Sequence, residues 1–310
     1  ISTQPPTYLA DHPRILSLFY HQARIFYDLA ETWLHLGEVD ADDHRVACEE
    51  IRATDLALLG GVQHFLAGSQ ECAGRLDEFW QVPPERVSLL HAPALTQPAK
   101  QPTRWHPDGP VLCVSRHEWP KRTELAVSTA HLLDRPTELI GGGGRLDYVK
   151  SLDAKLTAEP EFIHSTEAEQ YWLGTALTTI GSRPQPNSPV RFHGNVDDAT
   201  RDARYDACSV VIAPAFREDY GLTALEAMLW DRPVIVCNDG GGLVDLVEDT
   251  GGGLVVDPTP QAIAAAVEQL TTDEAFTREL LAKAREGVVR YTWDRAYRQL
   301  DDAVEAALSS

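Results

Sequence analysis

Two glutamates eight residues apart, Glu218 and Glu226, give the densest chemical signal in the chain. They lie within residues 213–241, where an apolar strand ends at Pro214, a loop carries Glu218 and a helix begins at Gly221 or Leu222. Glu226 then falls on the second turn of that helix. The first N–H groups of a helix lack partners inside it and carry partial positive charge, so this helix start is a natural seat for a diphosphate. A carboxylate on the loop can accept hydrogen bonds from sugar hydroxyls, and one on the helix can accept them from a ribose diol. Taken alone, the spacing equally suits a surface loop residue and a solvated helix face. Ten of the 21 glycines gather in three runs, 141–144, 240–242 and 251–253, and two of these follow the carboxyl end of a strand. That edge is where open parallel sheets bind ligands. Glycine there lets backbone N–H groups approach a phosphate, although flexible turns without a ligand leave the same pattern. No GxGxxG follows the first strand of this region and no GxxxxGK[ST] occurs, so a nicotinamide fingerprint is unsupported.

The elements that must position these residues read as strand–helix alternation from residue 111 onward. Short apolar strands are expected at 111–115, 137–140, 190–194, 209–214, 233–237 and 253–256, with helices at 124–133, 198–207, 222–230 and 261–270. Such alternation means a parallel sheet with helices on both faces. Two helical stretches, about 273–290 and 293–307, close the chain. Before residue 96 the reading is a strand at 14–20, a helix over 21–34 from the spacing of Ile25, Leu29 and Trp33, and a helix over 41–59. A strand at 62–69, a helix over 70–80 capped by Ser69, and a strand at 87–93 follow. Residues 96–110 are proline-rich and aperiodic, which marks a boundary. The expected division is a first domain over 1–100, a linker over 101–110, a second domain over 111–290 and a closing helix over 291–310.

The chain has 310 residues, 47 acidic and 27 basic, for a net charge of −20. A surface this acidic repels nucleic acid and anionic lipid at long range, so an anionic ligand needs a local basic or dipolar pocket. The longest largely apolar stretch, residues 208–216, is far shorter than the roughly 18 residues a spanning helix needs. The five cysteines, Cys48, Cys72, Cys113, Cys208 and Cys237, form no CxxC and no metal-ligand spacing. Scattered thiols of this kind fit a reducing cytoplasmic setting. The chain opens on Ile1 in a loop with no signal peptide before its first element, so an absent upstream part is expected.

The residues around the two glutamates resemble retaining glycosyltransferase family 4, which has the GT-B fold and an E-x7-E signature. The matching positions are Pro214, Glu218, Tyr220, Gly221, Leu222, Glu226, Ala227, Met228, Pro233, Val234, Ile235, Gly240 and Gly241. Asp219 and Asp231 depart from it, each standing where glycine is common. Residues 111–127 resemble the family's V-x-R-x-x-x-x-K-G-x-x-x-L block, which implies that Arg116 and Lys121 meet the donor's diphosphate from two sides. Residues 190–198 resemble its F-x-G-x-V-x-D block and imply that Gly194 and Asn195 lie near the base. Residues 291–300 resemble the closing helix that packs back on the first domain, which would make Trp293 structural. Residues 18–29 resemble a block whose histidine contacts the donor sugar or the acceptor, and the matching residue is His21, with Arg24 one turn on. The family's glycine-rich loop after its first strand should lie upstream.

The resemblance thus implies α/β architecture of the GT-B kind, two Rossmann-like domains facing across a cleft, the N-terminal one incomplete here. It implies sugar transfer from a nucleoside diphosphate sugar, UDP- or GDP-linked, to an acceptor hydroxyl, with retention and without a metal or other cofactor. Catalytic roles fall on Glu218, His21, Arg116 and Lys121. Donor contacts fall on Arg116, Lys121, Gly194, Asn195, Glu218, Asp219, Tyr220, Gly221, Leu222, Thr223 and Glu226. The expected partners are that donor and an acceptor that is a sugar, glycan, lipid-linked or small molecule, with no nucleic acid; membrane association is left open but not indicated. Two other readings fit part of the pattern: a non-catalytic or truncated nucleotide-sugar-binding module, and a hydrolase or epimerase on the same fold.

Overall fold

The computed structural model describes residues 1–3, 12, 14–35, 39–93, 104–181 and 185–309, so positions 101–103 of the expected linker lie outside the described residues. The chain divides into two compact units. One comprises Ile1–Pro93 and Tyr291–Ser310, the other Ala94–Arg290.

In the first unit three parallel strands, β1 (Ile15–Phe19), β2 (Val62–Ala67) and β3 (Val87–Leu89), pair in that order. Three helices accompany them: α1 (Ala30–His35), α2 (Ala41–Leu58) and α3 (Gln70–Trp80). The Ser69 hydroxyl accepts from the Cys72 N–H at 3.1 Å, the expected cap of α3. Phe19, Phe65, Leu76 and Trp80 pack as the core of this unit. The single helix expected over residues 21–34 does not form. Arg24–Phe26 makes one 3-10 turn, and helix resumes only at Ala30. Tyr27 is the cause: its ring is buried edge-on against Trp80 at 5.7 Å and its hydroxyl donates to Asp55 at 2.7 Å. Tertiary packing there overrides a four-residue apolar spacing.

The second unit holds six parallel strands: β4 (Val111–Val114), β5 (Thr137–Ile140), β6 (Val190–Gly194), β7 (Val210–Ala213), β8 (Val234–Cys237) and β9 (Gly253–Val256). Their order across the sheet is β6-β5-β4-β7-β8-β9. The helices are α4 (Thr123–Leu133), α5 (Leu146–Ala158), α6 (Ala168–Leu173), α7 (Asp198–Ala207), α8 (Leu222–Leu229), α9 (Gly242–Thr250), α10 (Pro260–Thr272) and α11 (Glu274–Val288). Cys113, Leu125, Leu139, Leu152, Ile212 and Ile263 form one core layer, while the alternate strand residues Leu112 and Val211 are also buried. Burial on both faces is what continuous apolar strands of a parallel sheet require.

A last helix, α12 (Trp293–Ser309), belongs to the first unit, where Ala303 packs on Leu16 and Leu66. Trp293 does not share in that packing. It is 52% exposed and its ring lies 5.9 Å from that of Tyr297 on its own helix, while Leu300, Ala303 and Val304 carry the packing. All five cysteines are buried and unpaired. Among the described residues no helix is long and apolar enough to cross a membrane.

Candidate active site

In the second unit the chain runs outward in both directions from the central pair β4 and β7. The carboxyl ends of such a pair are the switch point at which open α/β sheets bind ligands. The loop after β4 delivers Arg116 and Lys121 there, and the loop after β7 delivers Glu218 and the start of α8. The Lys121 ammonium donates to Glu218 Oε2, and both side chains are about one-fifth exposed, at 21% and 20%. Two residues chosen for separate roles and 97 positions apart therefore form one ion pair.

Backbone hydrogen bonds lace the loops that carry this pair. Phe216 N–H donates to Pro120 C=O at 2.7 Å, and Arg217 N–H to Asp239 C=O at 2.8 Å. Glu218 N–H donates to Gly240 C=O at 3.0 Å, and Gly242 N–H returns to Glu218 C=O at 2.8 Å. Asp219 and Tyr220 complete the loop half-buried. Gly221 then starts α8 with φ 99°, and a β-carbon there would fall 2.8 Å from Leu243 Cδ2, which is why glycine holds this position. Among the described residues no side chain caps α8, and no acid stands in its first turn. The N–H groups of Leu222 and Thr223 donate to nothing among the described residues, while the Thr223 hydroxyl donates to Val114 C=O at 3.3 Å and sets the helix start over the end of β4. The open end presents partial positive charge beside Lys121.

Arg116 is exposed, and its guanidinium has no partner among the described residues. Gly194 ends β6 and Asn195 follows it, two strands from β4. Gly194 C=O accepts from Gly141 N–H at 2.9 Å, and the Asn195 amide lies beside Gly142. Glu226 is neither exposed nor in the ion pair. It is half-buried, and its Oε2 accepts from the hydroxyl of Tyr205, a fully buried residue of α7, at 3.1 Å. Burial pushes the Glu226 carboxyl above the ordinary carboxylate range, and nearby Arg201 partly offsets this. Among the described residues no group of three or more His, Cys, Asp or Glu side chains is arranged to hold a metal ion.

The first glycine run is a packing device more than a phosphate loop. A β-carbon on Gly141 would lie 2.0 Å from Ser115 O and one on Gly143 2.4 Å from His117 O. The N–H of Gly144 is taken by Glu118 Oε1 at 3.2 Å. The run lets the loop after β5 press against residues 115–117. That contact buries His117, whose Nδ1 lies 2.9 Å from the Thr123 hydroxyl. Burial, with Lys150 nearby, lowers its pKa from 6.5 to about 4. Across that window the unfolded chain takes up a proton that the folded chain refuses, so stability falls as pH drops from about 6.5 toward 4. His117→Asn is expected to flatten this slope in urea midpoints measured against pH. An unchanged slope would place the dependence elsewhere.

The family pattern assigns no role to Arg122 or Asp239. Arg122 occupies the glycine position of the K-G block and keeps the left-handed backbone that favours glycine, with φ 47°. For a non-glycine residue that conformation costs roughly 1–2 kcal/mol. A basic residue at a glycine position, next to Lys121, was the available signal. His21 and Arg24 belong to the first unit. His21 follows β1, half-buried, with Nδ1 2.6 Å from Gln22 O. Arg24 is engaged by Asp28, with its shortest contact at 2.7 Å, so its guanidinium is already committed.

A family model described as "Glycosyl transferases group 1" matches residues 110–273. An uncharacterised glycosyltransferase of Methanocaldococcus jannaschii is 27% identical over 172 residues, 53% of this chain and 44% of that protein. Sucrose-phosphate synthase of Thermosynechococcus elongatus is similar in structure with TM-score 0.66 at 20% identity, covering 95% of this chain and 68% of that one. Anabaena HepE, solved in complex with UDP and glucose, gives 0.62 at 18%, covering 84% of this chain and 67% of that one. At such identities the structural likeness speaks for the fold alone, two Rossmann-like α/β units of GT-B type. The matched stretches cover 44%, 25% and 23% of three curated relatives' own lengths, so the chain spans half or less of each.

Proposed function

Because the chain belongs to the group 1 glycosyl transferases, we propose that it moves a sugar from a UDP- or GDP-linked donor to an acceptor hydroxyl, with retention at the anomeric carbon. The observation that carries this reading is the Lys121–Glu218 pair beside the uncapped start of α8 at the switch point. In the proposed complex the diphosphate takes Lys121 from Glu218, and Arg116 with the free N–H groups of Leu222 and Thr223 completes its cradle. Glu218, released, holds the sugar's hydroxyls. Glu226, steadied through Oε2 by Tyr205, offers Oε1 to the ribose diol. Gly194 and Asn195 border the base. His21 enters only through the resemblance, as a residue that would meet the transferred sugar or the acceptor.

The proposed step breaks the bond from the anomeric carbon to the diphosphate oxygen and forms one to the acceptor oxygen on the same face. The acceptor's proton passes to a departing phosphate oxygen. Arg116, Lys121 and the α8 end meet the charge that develops on the diphosphate, so this reading calls for no metal. Five buried unpaired thiols support a cytoplasmic setting.

Titration calorimetry with UDP, GDP and ADP in the presence of a chelator tests the reading. One of them is expected to bind in the micromolar range, with at least tenfold loss in Glu226→Ala. The raised Glu226 pKa adds a signature. An ionised carboxylate accepts from the diol more strongly than a protonated one, so affinity should fall with decreasing pH at a higher pH than an ordinary carboxylate would give. Glu226→Gln should remove that dependence. Binding of none of the three nucleotides would overturn the proposal.

A further inference from the structure

The side chain of Arg122 is fully buried, at 0% exposure, in a chain whose other site cations are reachable by solvent. A buried charge is tolerated only when paired and hydrogen-bonded, and all three nitrogens of this one donate a hydrogen bond. Nη1 donates to Asp239 Oδ2 at 2.9 Å, Nη2 to Asp239 Oδ1 at 2.5 Å, and Nε to Pro214 C=O at 2.8 Å. The guanidinium also lies 5.4 Å from the Trp172 ring centroid and 5.5 Å from that of Phe216. One side chain thus joins the end of β7, the loop after β8 and helix α6, and its own backbone is covalently next to Lys121.

These attachments converge on the ion pair. Asp239 grips Arg122 through its carboxylate while its C=O receives the Arg217 N–H at 2.8 Å, one residue before Glu218. Phe216, which contacts the guanidinium, donates its N–H to Pro120 C=O at 2.7 Å, one residue before Lys121. Both members of the pair are therefore flanked by groups that Arg122 holds. We propose that Arg122 is a positioning residue: through its two-pronged grip on Asp239 it sets the Lys121–Glu218 pair without touching the substrate. The inference deepens the donor-site reading and rests on it for its functional consequence. Only a planar fork fills this role. A lysine supplies one point charge and cannot hold both carboxylate oxygens in a fixed plane.

The test begins without ligand. Reductive methylation of the folded protein, followed by peptide mass spectrometry, reads how firmly Lys121 is held, with Lys155 on α5 as internal reference. Arg122→Gly keeps a residue suited to the left-handed backbone and should raise the Lys121 rate at least threefold while Lys155 is unchanged. Arg122→Lys should fail to restore the slow rate, and Asp239→Asn should move it in the same direction by less. If Arg122→Gly does not fold, Asp239→Asn alone decides. A folded variant with an unchanged Lys121 rate overturns the proposal. The second readout is affinity for whichever of UDP, GDP and ADP binds. Lys121→Ala and Arg122→Gly should each weaken it, but Arg122→Gly in the Lys121→Ala background should cost no more than a further twofold. Fully additive losses overturn the coupling. If the unaltered protein binds no nucleotide, the donor-site reading fails while the methylation result still settles the positioning of Lys121.

Discussion

Lys121→Ala is expected to weaken binding of the cognate nucleoside diphosphate by about 10- to 100-fold, the equivalent of the roughly 1.5–3 kcal/mol that a hydrogen bond to a charged group contributes. Two effects add. The diphosphate loses its cation at the switch point, and Glu218, now unpaired and only 20% exposed, confronts the incoming anion. Glu218→Ala is the informative counterpart because its sign is opposite for the bare nucleotide. Removing the carboxylate frees Lys121, so UDP or GDP should bind as well as before or better, while the extra affinity due to the attached sugar disappears and transfer falls by about two orders of magnitude or more. Calorimetry with the nucleotide and with its sugar conjugate separates the two variants. Nucleotide binding within twofold of normal in Lys121→Ala would remove Lys121 from the diphosphate site.

The largest effect on stability is expected from Gly141→Ala, at about 3 kcal/mol or more. Its β-carbon would lie 2.0 Å from Ser115 O, and φ at this position is 133°, a conformation that alanine rarely adopts. Neither partner can retreat. Ser115 N–H is bonded to Ile140 C=O at 2.9 Å and Gly141 N–H to Gly194 C=O at 2.9 Å, so the contact lies between strand ends held on both sides. Gly144→Ala is a control within the same run. Its nearest neighbour, Glu118 Oε2, stands 3.8 Å from the new carbon, which is ordinary contact, and the change should cost well under 1 kcal/mol. Urea titrations of both variants check the contrast. Equal losses would mean that the run contributes flexibility and not close packing.

Much of the second unit was legible in the sequence for a simple reason. Strands buried on both faces must be short and uniformly apolar, and β4, β7 and β8 fall within the runs expected at 111–115, 209–214 and 233–237, while the edge strands β6 and β9 are only partly buried. Glu218 and the start of α8 were legible because a loop acid and a glycine before a helix each leave a local mark, whereas Lys121 stood out only through the family resemblance. The joining of Lys121 to Glu218 was not legible, since an ion pair between residues 97 apart depends on β4 and β7 being neighbours in the sheet. Arg122 and Asp239 were missed for the same reason: each looks like an ordinary loop charge until the fold buries one against the other. The break at Tyr27 shows the limit from the other side. Apolar spacing over 21–34 describes a helix face, but a phenol ring anchored against Trp80 bends the chain away from it.

The thiols buried in each unit make the protein its own probe of local opening. Cys48 and Cys72 sit in the first unit, and Cys113, Cys208 and Cys237 in the second. Burial pushes the last three up to about 12, so at neutral pH they are protonated as well as inaccessible. An alkylating reagent can reach them only when the surrounding structure comes apart, and the rate at each site then counts those openings. Peptide-resolved alkylation in increasing urea would therefore yield separate stabilities for the two units from one unmodified sample, with no fluorophore and no engineered label.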